Sequence, residues 1–330
     1  MSAKGVPGRI SFVIPCYRSE GTITRVVEEI RETVSERPEY DYEIICVNDC
    51  SPDGVWNVLL GLAREDKRIK LVNFAMNRGK HSAILAGHSF VTGQYVVDMD
   101  DDCQSPVNNL WVLLDLVRDD ECDVATANYY EKKESAFKRF GSGVNKYTTA
   151  VMLEKPVELH IDNFLVMKRF VSDAILRYKN PYPFFEGLVF SVTRRVRVVM
   201  MEQRDRGDDN STGYTFKKSL SLWLNGLTAF SVKPLRIASL MGMVFAAIGF
   251  LWGIIILLKK FVFHTIEVLG YTSLAAIMLF STGVMMLMLG MLGEYIGRIY
   301  ISLNNMAQYI ITETVNIEND SDDQEEREER

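Results

Sequence analysis

Two stretches of this chain carry no charged residue: Ile237–Leu258, 22 residues, and Val268–Leu292, 25 residues. A helix needs about 20 apolar residues to cross the hydrocarbon core of a bilayer, so each stretch is long enough to span. The nine residues between them, Lys259–Glu267, are too few for a folded domain. The pattern predicts a transmembrane hairpin: span 237–258, short loop 259–267, span 268–292. The alternative is a pair of buried core helices, which seldom run this long without a charge. A hairpin returns the chain to the side it left. Met1–Arg9 lacks the apolar core of a signal peptide, so that side is expected to be the cytosol. Lys217, Lys218, Lys233, Arg236 and Arg298 flank the spans on the cytosolic side, as the positive-inside rule asks, whereas Lys259 and Lys260 sit in the far loop. The expectation is an integral membrane protein with two spans and a cytosolic N-terminal domain.

That domain reads as α/β. Continuous apolar runs at Ile10–Pro15, Glu43–Asn48, Ile69–Phe74, Tyr95–Met99, Asp123–Ala127 and Phe164–Met167 suit buried strands. Between them lie helix-like segments. The first places Ile23, Val26, Val27, Ile30 and Val34 on one face; others are Val55–Glu65, Ser82–Val91, Val107–Val117 and Phe137–Met152. Such alternation predicts a mostly parallel sheet covered on both faces. Ligands bind such sheets beyond the carboxyl ends of the strands. Residues 216–236 mix Phe216, Trp223, Leu227 and Phe230 with lysines, as an interfacial helical segment does. Residues 293–312 are expected to form a juxtamembrane helix. Within the tail, 313–330, the stretch Glu318–Arg330 sets eight acidic residues against Arg327 and Arg330 and accounts for the whole formal charge of -6. A block of this kind is expected to be solvated and disordered. The rest of the chain is neutral overall, and no nucleic-acid partner is expected. Five cysteines, odd in number and without zinc-like spacing, suit a reducing compartment.

The strongest chemical signal is Asp100-Asp101-Asp102-Cys103-Gln104, directly after the fourth apolar run. Three adjacent carboxylates repel one another unless a cation is near. In an extended segment Asp100, Asp102 and Gln104 share a face and offer hard oxygen ligands for Mg2+ or Mn2+. The other reading is an acidic turn capping the next helix. After the first run comes Pro15-Cys16-Tyr17-Arg18-Ser19-Glu20, and after the second Asn48-Asp49-Cys50-Ser51-Pro52-Asp53-Gly54. Asp49 and Asp53 could accept from a base or ribose, and Ser51 or Asp53 could equally cap a helix. Arg78-Gly79-Lys80 precedes a helix, where an anion is welcome, but it is no Walker loop.

The order Val-Ile-Pro-Cys-Tyr (13–17), Val-Asn-Asp-Cys-Ser-Pro-Asp-Gly (47–54), Asn-Arg-Gly-Lys (77–80) and Asp-Asp-Asp-Cys-Gln (100–104) resembles glycosyltransferase family 2, with its GT-A fold. The subfamily resembled attaches sugars to polyisoprenyl phosphates and includes dolichyl-phosphate mannose synthase and bacterial undecaprenyl-phosphate glycosyltransferases. Residues 231–236 and 293–298 are similar to its membrane boundaries, so the likeness covers roughly residues 10–305. It implies a GT-A (Rossmann-like) catalytic domain over 1–215 and a transferase that moves a sugar from a nucleotide-sugar, uridine diphosphate favoured, to a polyprenyl phosphate with inversion. It further implies that Pro15, Tyr17, Glu20, Asp49, Ser51, Lys80, Asp100, Asp101 and Lys217 line the nucleotide pocket. Asp100, Asp102 and Gln104 match the metal ligands. Arg204 and Arg206, with Ser211, Tyr214, Lys217 and Lys218, resemble the segment that meets the diphosphate or lipid phosphate. Asp162 is the carboxylate nearest the family's acidic position before a Phe, with Asn163 in the expected slot. The catalytic set is then Asp102, Asp162, Arg204 and Arg206.

Rival readings are a processive polysaccharide synthase, whose Gln-x-x-Arg-Trp motif is missing at Gln203, and a non-catalytic membrane-tethered nucleotide-sugar binder. The sugar, the exact polyprenyl acceptor and the use of a general base stay open. Gly283, Gly290, Gly293 and Gly297 permit close helix contact and hence a homo-oligomer.

Overall fold

The computed structural model describes residues 6–129, 159, 161–180, 183–202, parts of 240–255, 271–303 and 307–317. The chain divides into two compact units. One comprises Met1–Tyr214 together with Asn305–Arg330; the other is Thr215–Asn304.

The first unit is built on an eight-stranded sheet. Its strands are β1 (Val6–Cys16), β2 (Asp41–Asn48), β3 (Ile69–Phe74), β4 (Gly93–Asp98), β5 (Val124–Tyr129), β6 (Leu165–Lys168), β7 (Val196–Met201) and β8 (Ile311–Val315). Their order across the sheet is β7-β5-β6-β4-β1-β2-β3-β8. β1 runs parallel to β2 and β4, β2 to β3, and β5 to β7. β6 is antiparallel to both its neighbours, and β8 to β3. The six strands expected from the apolar runs are all present. β7 and β8 were not among them.

Helices cover both faces, which is why the central strands are apolar on both sides. α1 (Ile23–Ser35) buries Ile23, Val26, Val27, Ile30 and Val34, the helical stripe read from sequence. With α2 (Val55–Glu65) and α4 (Leu110–Arg118) it packs on Ile10, Phe12, Ile14, Ile44 and Cys46. The intervening strand residues face α3 (Lys80–His88). A Cβ at Gly87 would lie 2.4 Å from Val13 Cγ1, so only glycine lets α3 approach β1 this closely. α3 starts two residues earlier and stops three earlier than its apolar pattern suggested. Val107–Asn109 forms a 3-10 turn ahead of α4. α5 (Arg169–Ile175) and α6 (Phe185–Val192) follow β6. The helix expected over Phe137–Met152 lies outside the described residues.

Two buried polar clusters lock the layers. At the amino-terminal end of the sheet, Glu43 accepts from Ser11 Oγ (2.5 Å), Lys70 Nζ (2.8 Å) and both the amide and the hydroxyl of Thr92 (2.5 and 2.9 Å). These bonds hold its carboxyl below its ordinary pKa although burial pushes the other way. Below α3, His88 bridges Asp98 Oδ1 (2.8 Å) and Ser172 Oγ (2.7 Å), tying α3, β4 and α5 together.

In the second unit, α7 runs unbroken over 33 residues, Tyr271–Leu303. The expected second span, 268–292, therefore continues without a break into the expected juxtamembrane helix. That helix ends at Leu303, and residues 311–315, divided in the sequence reading between helix and disordered tail, are strand β8. The window Phe280–Gly297 is long and apolar enough to cross a membrane, and none of it is buried. Of 237–258, the described residues are helical, with Leu240, Met243, Phe250 and Leu251 more than half exposed. Met288 of α7 lies over Gly242, close enough for van der Waals contact with a Cβ built there (3.6 Å). Segments 216–236 and 259–267 lie outside the described residues.

Candidate active site

β1, β2, β3 and β4 end side by side, and the loops that follow them interlock. After β1, the Tyr17 amide donates to Asp101 Oδ2 (3.0 Å), the Arg18 amide to Ser51 Oγ (2.8 Å) and the Glu20 amide to Asp53 Oδ2 (3.0 Å). The Gly54 amide returns a bond to Glu20 Oε2 (2.9 Å). After β2, the buried Asp49 carboxylate accepts from the Arg78 and Gly79 amides (2.6 and 2.8 Å), and Asn77 Nδ2 reaches the Asp49 carbonyl (3.1 Å). Burial raises the Asp49 pKa against those two amides, which pull it down. Pro15 is buried in β1, and Tyr17 is exposed beneath the Arg18 guanidinium, 5.6 Å from its ring centroid.

Three non-glycine residues at this end take left-handed backbone: Arg18 (φ 59°), Cys50 (φ 50°) and Cys103 (φ 60°). Each conformation costs about 1–2 kcal/mol. The other two non-glycine cases, Asp120 and Asn316, are residue types that tolerate it. Strain gathered on three adjacent loops marks the rim as a working site.

The acidic motif follows β4 as a bend instead of an extended segment. Asp102 Oδ1 accepts the Gln104 amide (3.1 Å), with Cys103 left-handed between them. Strand alternation therefore does not set the directions of Asp100, Asp102 and Gln104. Asp101 is turned inward, onto the Tyr17 amide. Burial lifts its pKa to about 6, offset by the neighbouring Ser19 hydroxyl and the Tyr17 amide and reinforced by Asp100 and Asp102. Asp100 accepts Lys80 Nζ on one oxygen and Asn163 Nδ2 on the other (2.7 Å). So α3, β4 and the turn before β6 meet at one carboxylate. Asp162 accepts the Asn163 amide (2.7 Å) and its own amide donates to Thr126 Oγ1 (3.1 Å). Tyr129, at the end of β5, has its hydroxyl pKa raised by burial and by the charges of Asp162, Asp100 and Asp102.

The structure therefore brings Lys80, Asp100, Asp102, Asp162 and the Asp101–Tyr17 pair to one end of the sheet. Asn163 and Tyr129 join them, although sequence reasoning left both out of the site. Asn163 had a signal, its slot before Phe164; Tyr129 had only its place at a strand end. Arg204, Arg206 and Lys217, with Ser211, Tyr214 and Lys218, lie outside the described residues. Among the described residues no group of three or more His, Cys, Asp or Glu is arranged to hold a metal ion. The expected donor set asks for only two carboxylates and an amide oxygen. Asp100 already sits beside the positive charge of Lys80, and carboxylate and amide oxygens are the hard donors that a divalent cation takes.

Comparison with known proteins follows the same lines. Residues 11–176 match the family model described as Glycosyl transferase family 2. Residues 233–299 match the one described as GtrB C-terminal hairpin. The chain is 33% identical over 310 residues to the uncharacterized glycosyltransferase YkcC of Bacillus subtilis, covering 94% of this chain and 95% of that one. It is 31% identical over 312 residues to the SfII prophage-derived bactoprenol glucosyl transferase of Shigella flexneri, covering 92% and 97%. Among solved structures it is similar to glucosyl-3-phosphoglycerate synthase from Mycobacterium tuberculosis in complex with uridine diphosphate, with a TM-score of 0.50, 14% identity, and 68% and 79% of the two chains covered. At that identity the likeness is one of fold.

Proposed function

The chain belongs to glycosyltransferase family 2, and from that premise we propose that it moves a sugar from a nucleoside-diphosphate sugar onto a polyprenyl phosphate at a membrane surface. The donor is a uridine diphosphate sugar. The observation that carries the reading is the meeting of Lys80, Asp100 and Asn163 at the end of β4, beside Asp102 and Asp162. A relative named bactoprenol glucosyl transferase, bactoprenol being a polyprenyl alcohol, supports the acceptor class.

The reaction is a single displacement. An oxygen of the lipid phosphate attacks the anomeric carbon, the bond from that carbon to the diphosphate oxygen breaks, and its electron pair leaves with the nucleoside diphosphate. A phosphate monoester has its second pKa near 6, so the nucleophile is already mostly dianionic and needs no strong base. Asp162 and Asn163 orient sugar or acceptor. Asp100, Asp102 and Gln104 would hold Mg2+ or Mn2+, which when bound would neutralise charge on the diphosphate. Arg204, Arg206 and Lys217 grip phosphate oxygens, as forked and cationic donors do. Pro15, Tyr17, Glu20, Asp49, Ser51 and Asp101 shape the nucleotide side, with Asp49 and Asp101 acting through the backbone they hold. Alignment and charge stabilisation supply most of the rate.

The membrane places the acceptor. The sheet takes strands from both sides of the 215–304 unit, with β7 before it and β8 after it. Both flanks therefore lie on one side of a bilayer, which supports an even number of crossings. The exposed apolar side chains of 240–255 and of α7 support two. The domain plan is a cytosolic catalytic domain, an interfacial segment at 216–236 and a hairpin of 237–258 and 268–292.

The test incubates the purified full-length chain with a panel of nucleotide-sugars, undecaprenyl or dolichyl phosphate, and Mn2+, with mass detection of the lipid product. The expected result is one glycosyl phosphoprenol, lost in the presence of chelator. Asp102→Ala is expected to lower turnover at least 100-fold with an unchanged melting temperature. Near-normal turnover in that variant would refute the metal assignment.

A further inference from the structure

We infer that Tyr309, which lies beyond the membrane hairpin in the chain, is a positioning residue of the donor site. The inference rests on the reading that nucleotide binds where β1, β2 and β3 end. Residues 308–316 form a strap along the outer edge of the sheet. At its far end Asn316 Nδ2 donates to the carbonyls of Ala63 and Ile69 (2.8 Å each), and Lys67 Nζ donates to Asn316 Oδ1 (3.1 Å). Between, β8 pairs antiparallel with β3, from Val315 beside Leu71 to Ile311 beside Phe74. The near end is the part that matters here.

There the strap holds two loops at the rim. Tyr309 stacks on Phe74, the last residue of β3, with ring centroids 5.1 Å apart and planes 5° from parallel. The Ala75 amide donates to the Ile310 carbonyl (2.9 Å), and Thr312 Oγ1 donates to the Asn73 carbonyl (3.1 Å). Gln308 uses its side-chain amide twice, on the carbonyls of Tyr178 (3.0 Å) and Asn180 (2.7 Å), in the loop after α5. Residues 73–75 then run directly into Asn77, Arg78 and Gly79, the three residues bonded to Asp49. Cys50, one of the strained residues, leans its thiol toward the Ala75 carbonyl (3.7 Å). The path from strap to nucleotide loop is therefore continuous: Tyr309 and Ile310 fix Phe74 and Ala75, and these fix the approach of Arg78 and Gly79 to Asp49. β3 is otherwise an edge strand, whose end would be free to fray.

A purely structural strap and a positioning strap differ in where damage is felt. The test uses the full-length chain in detergent, binding of uridine diphosphate with Mn2+ by calorimetry, and donor KM and kcat. Tyr309→Ala is expected to weaken uridine diphosphate binding and raise donor KM about tenfold, with kcat changed less than about twofold. Tyr309→Phe keeps the stack and is expected to behave as wild type. Asn316→Ala, at the far end, is expected to lower the melting temperature at least as much as Tyr309→Ala while leaving donor KM unchanged. If Asn316→Ala raises KM in step with its loss of stability, or if Tyr309→Ala leaves KM and binding unchanged, the inference is overturned. Asp49→Asn separates the two levels. Binding lost in Asp49→Asn but kept in Tyr309→Ala sinks the inference alone. Binding kept in Asp49→Asn sinks the nucleotide-site reading and the inference with it.

Discussion

On the proposed reading, Asp100 serves two cations in turn. Lys80 and Asn163 occupy its two oxygens. Replacing Lys80 by Met leaves Asp100 with Asn163 on one oxygen and no cation on the other, which would attract a divalent ion more strongly, and removes an ammonium from beside the proposed diphosphate site. The expected outcome is a split: Mn2+ binds about threefold tighter by titration, while kcat falls about 100-fold. Movement of both in the same direction would exclude the exchange. Glu43 gives a pH signature far from the site. Its folded-state pKa is lowered, so its contribution is fully present above the ordinary glutamate value near 4.3 and is lost as pH falls through the depressed folded value. Glu43→Gln is expected to cost roughly 3 kcal/mol at pH 7 and to flatten the acid limb of a stability-against-pH curve from urea melts. Residue types and their order made Asp100, Asp102 and Lys80 legible in the sequence, because three adjacent acids demand an explanation. The inward turn of Asp101 and the left-handed backbone of Arg18, Cys50 and Cys103 were not legible. Nothing in an arginine or a cysteine announces a positive φ; the neighbouring loops impose it.

Among the elements, those with strong periodicity were readable, and those held by partners were not. β1 to β6 stood out because each carries a mainly apolar run. β7, Val196–Met201, carries Arg197 and sits at one edge of the sheet. β8, Ile-Thr-Glu-Thr-Val, is half polar and adjoins an acidic tail. Edge strands face solvent on one side and so lose the hydrophobic signature that exposes central ones. The fit of α3 on β1 gives the prediction at this scale. Gly87→Ala places a methyl 2.4 Å from Val13 Cγ1, and such overpacking costs about 1–3 kcal/mol. Because α3 begins with Lys80, a shift that loosens its pairing with Asp100 is also expected to lower the Mn2+ requirement. Thermal melting and a metal titration check both, and an unchanged melting temperature would show that α3 is free to shift.

For the molecule as a whole, the decisive fact is that one sheet takes strands from both sides of the 215–304 unit. The two uncharged runs suggested a hairpin from length alone; the return of β8 to β3 is a constraint of a different kind, because a sheet cannot be assembled across a bilayer. Reporter cysteines in the tail beyond Asn316 and in the catalytic domain are expected to label only after the membrane is opened. A reporter in 259–267 is expected to label from outside. Deleting residues 237–258 alone changes the parity, strands the last segment on the wrong side, and is expected to abolish donor binding even though the nucleotide loops are intact. Donor binding preserved in that deletion would contradict a two-span arrangement.

Because β8 is the last of the described strands in chain order, the sheet must wait for it. The outer edge of β3 stays bare until residue 315 has been made. A chain released early, or inserted with the wrong number of passes, displays that bare edge to proteases and chaperones. On the proposed two-span reading, the same strand makes completion of the sheet depend on how the 215–304 unit is inserted.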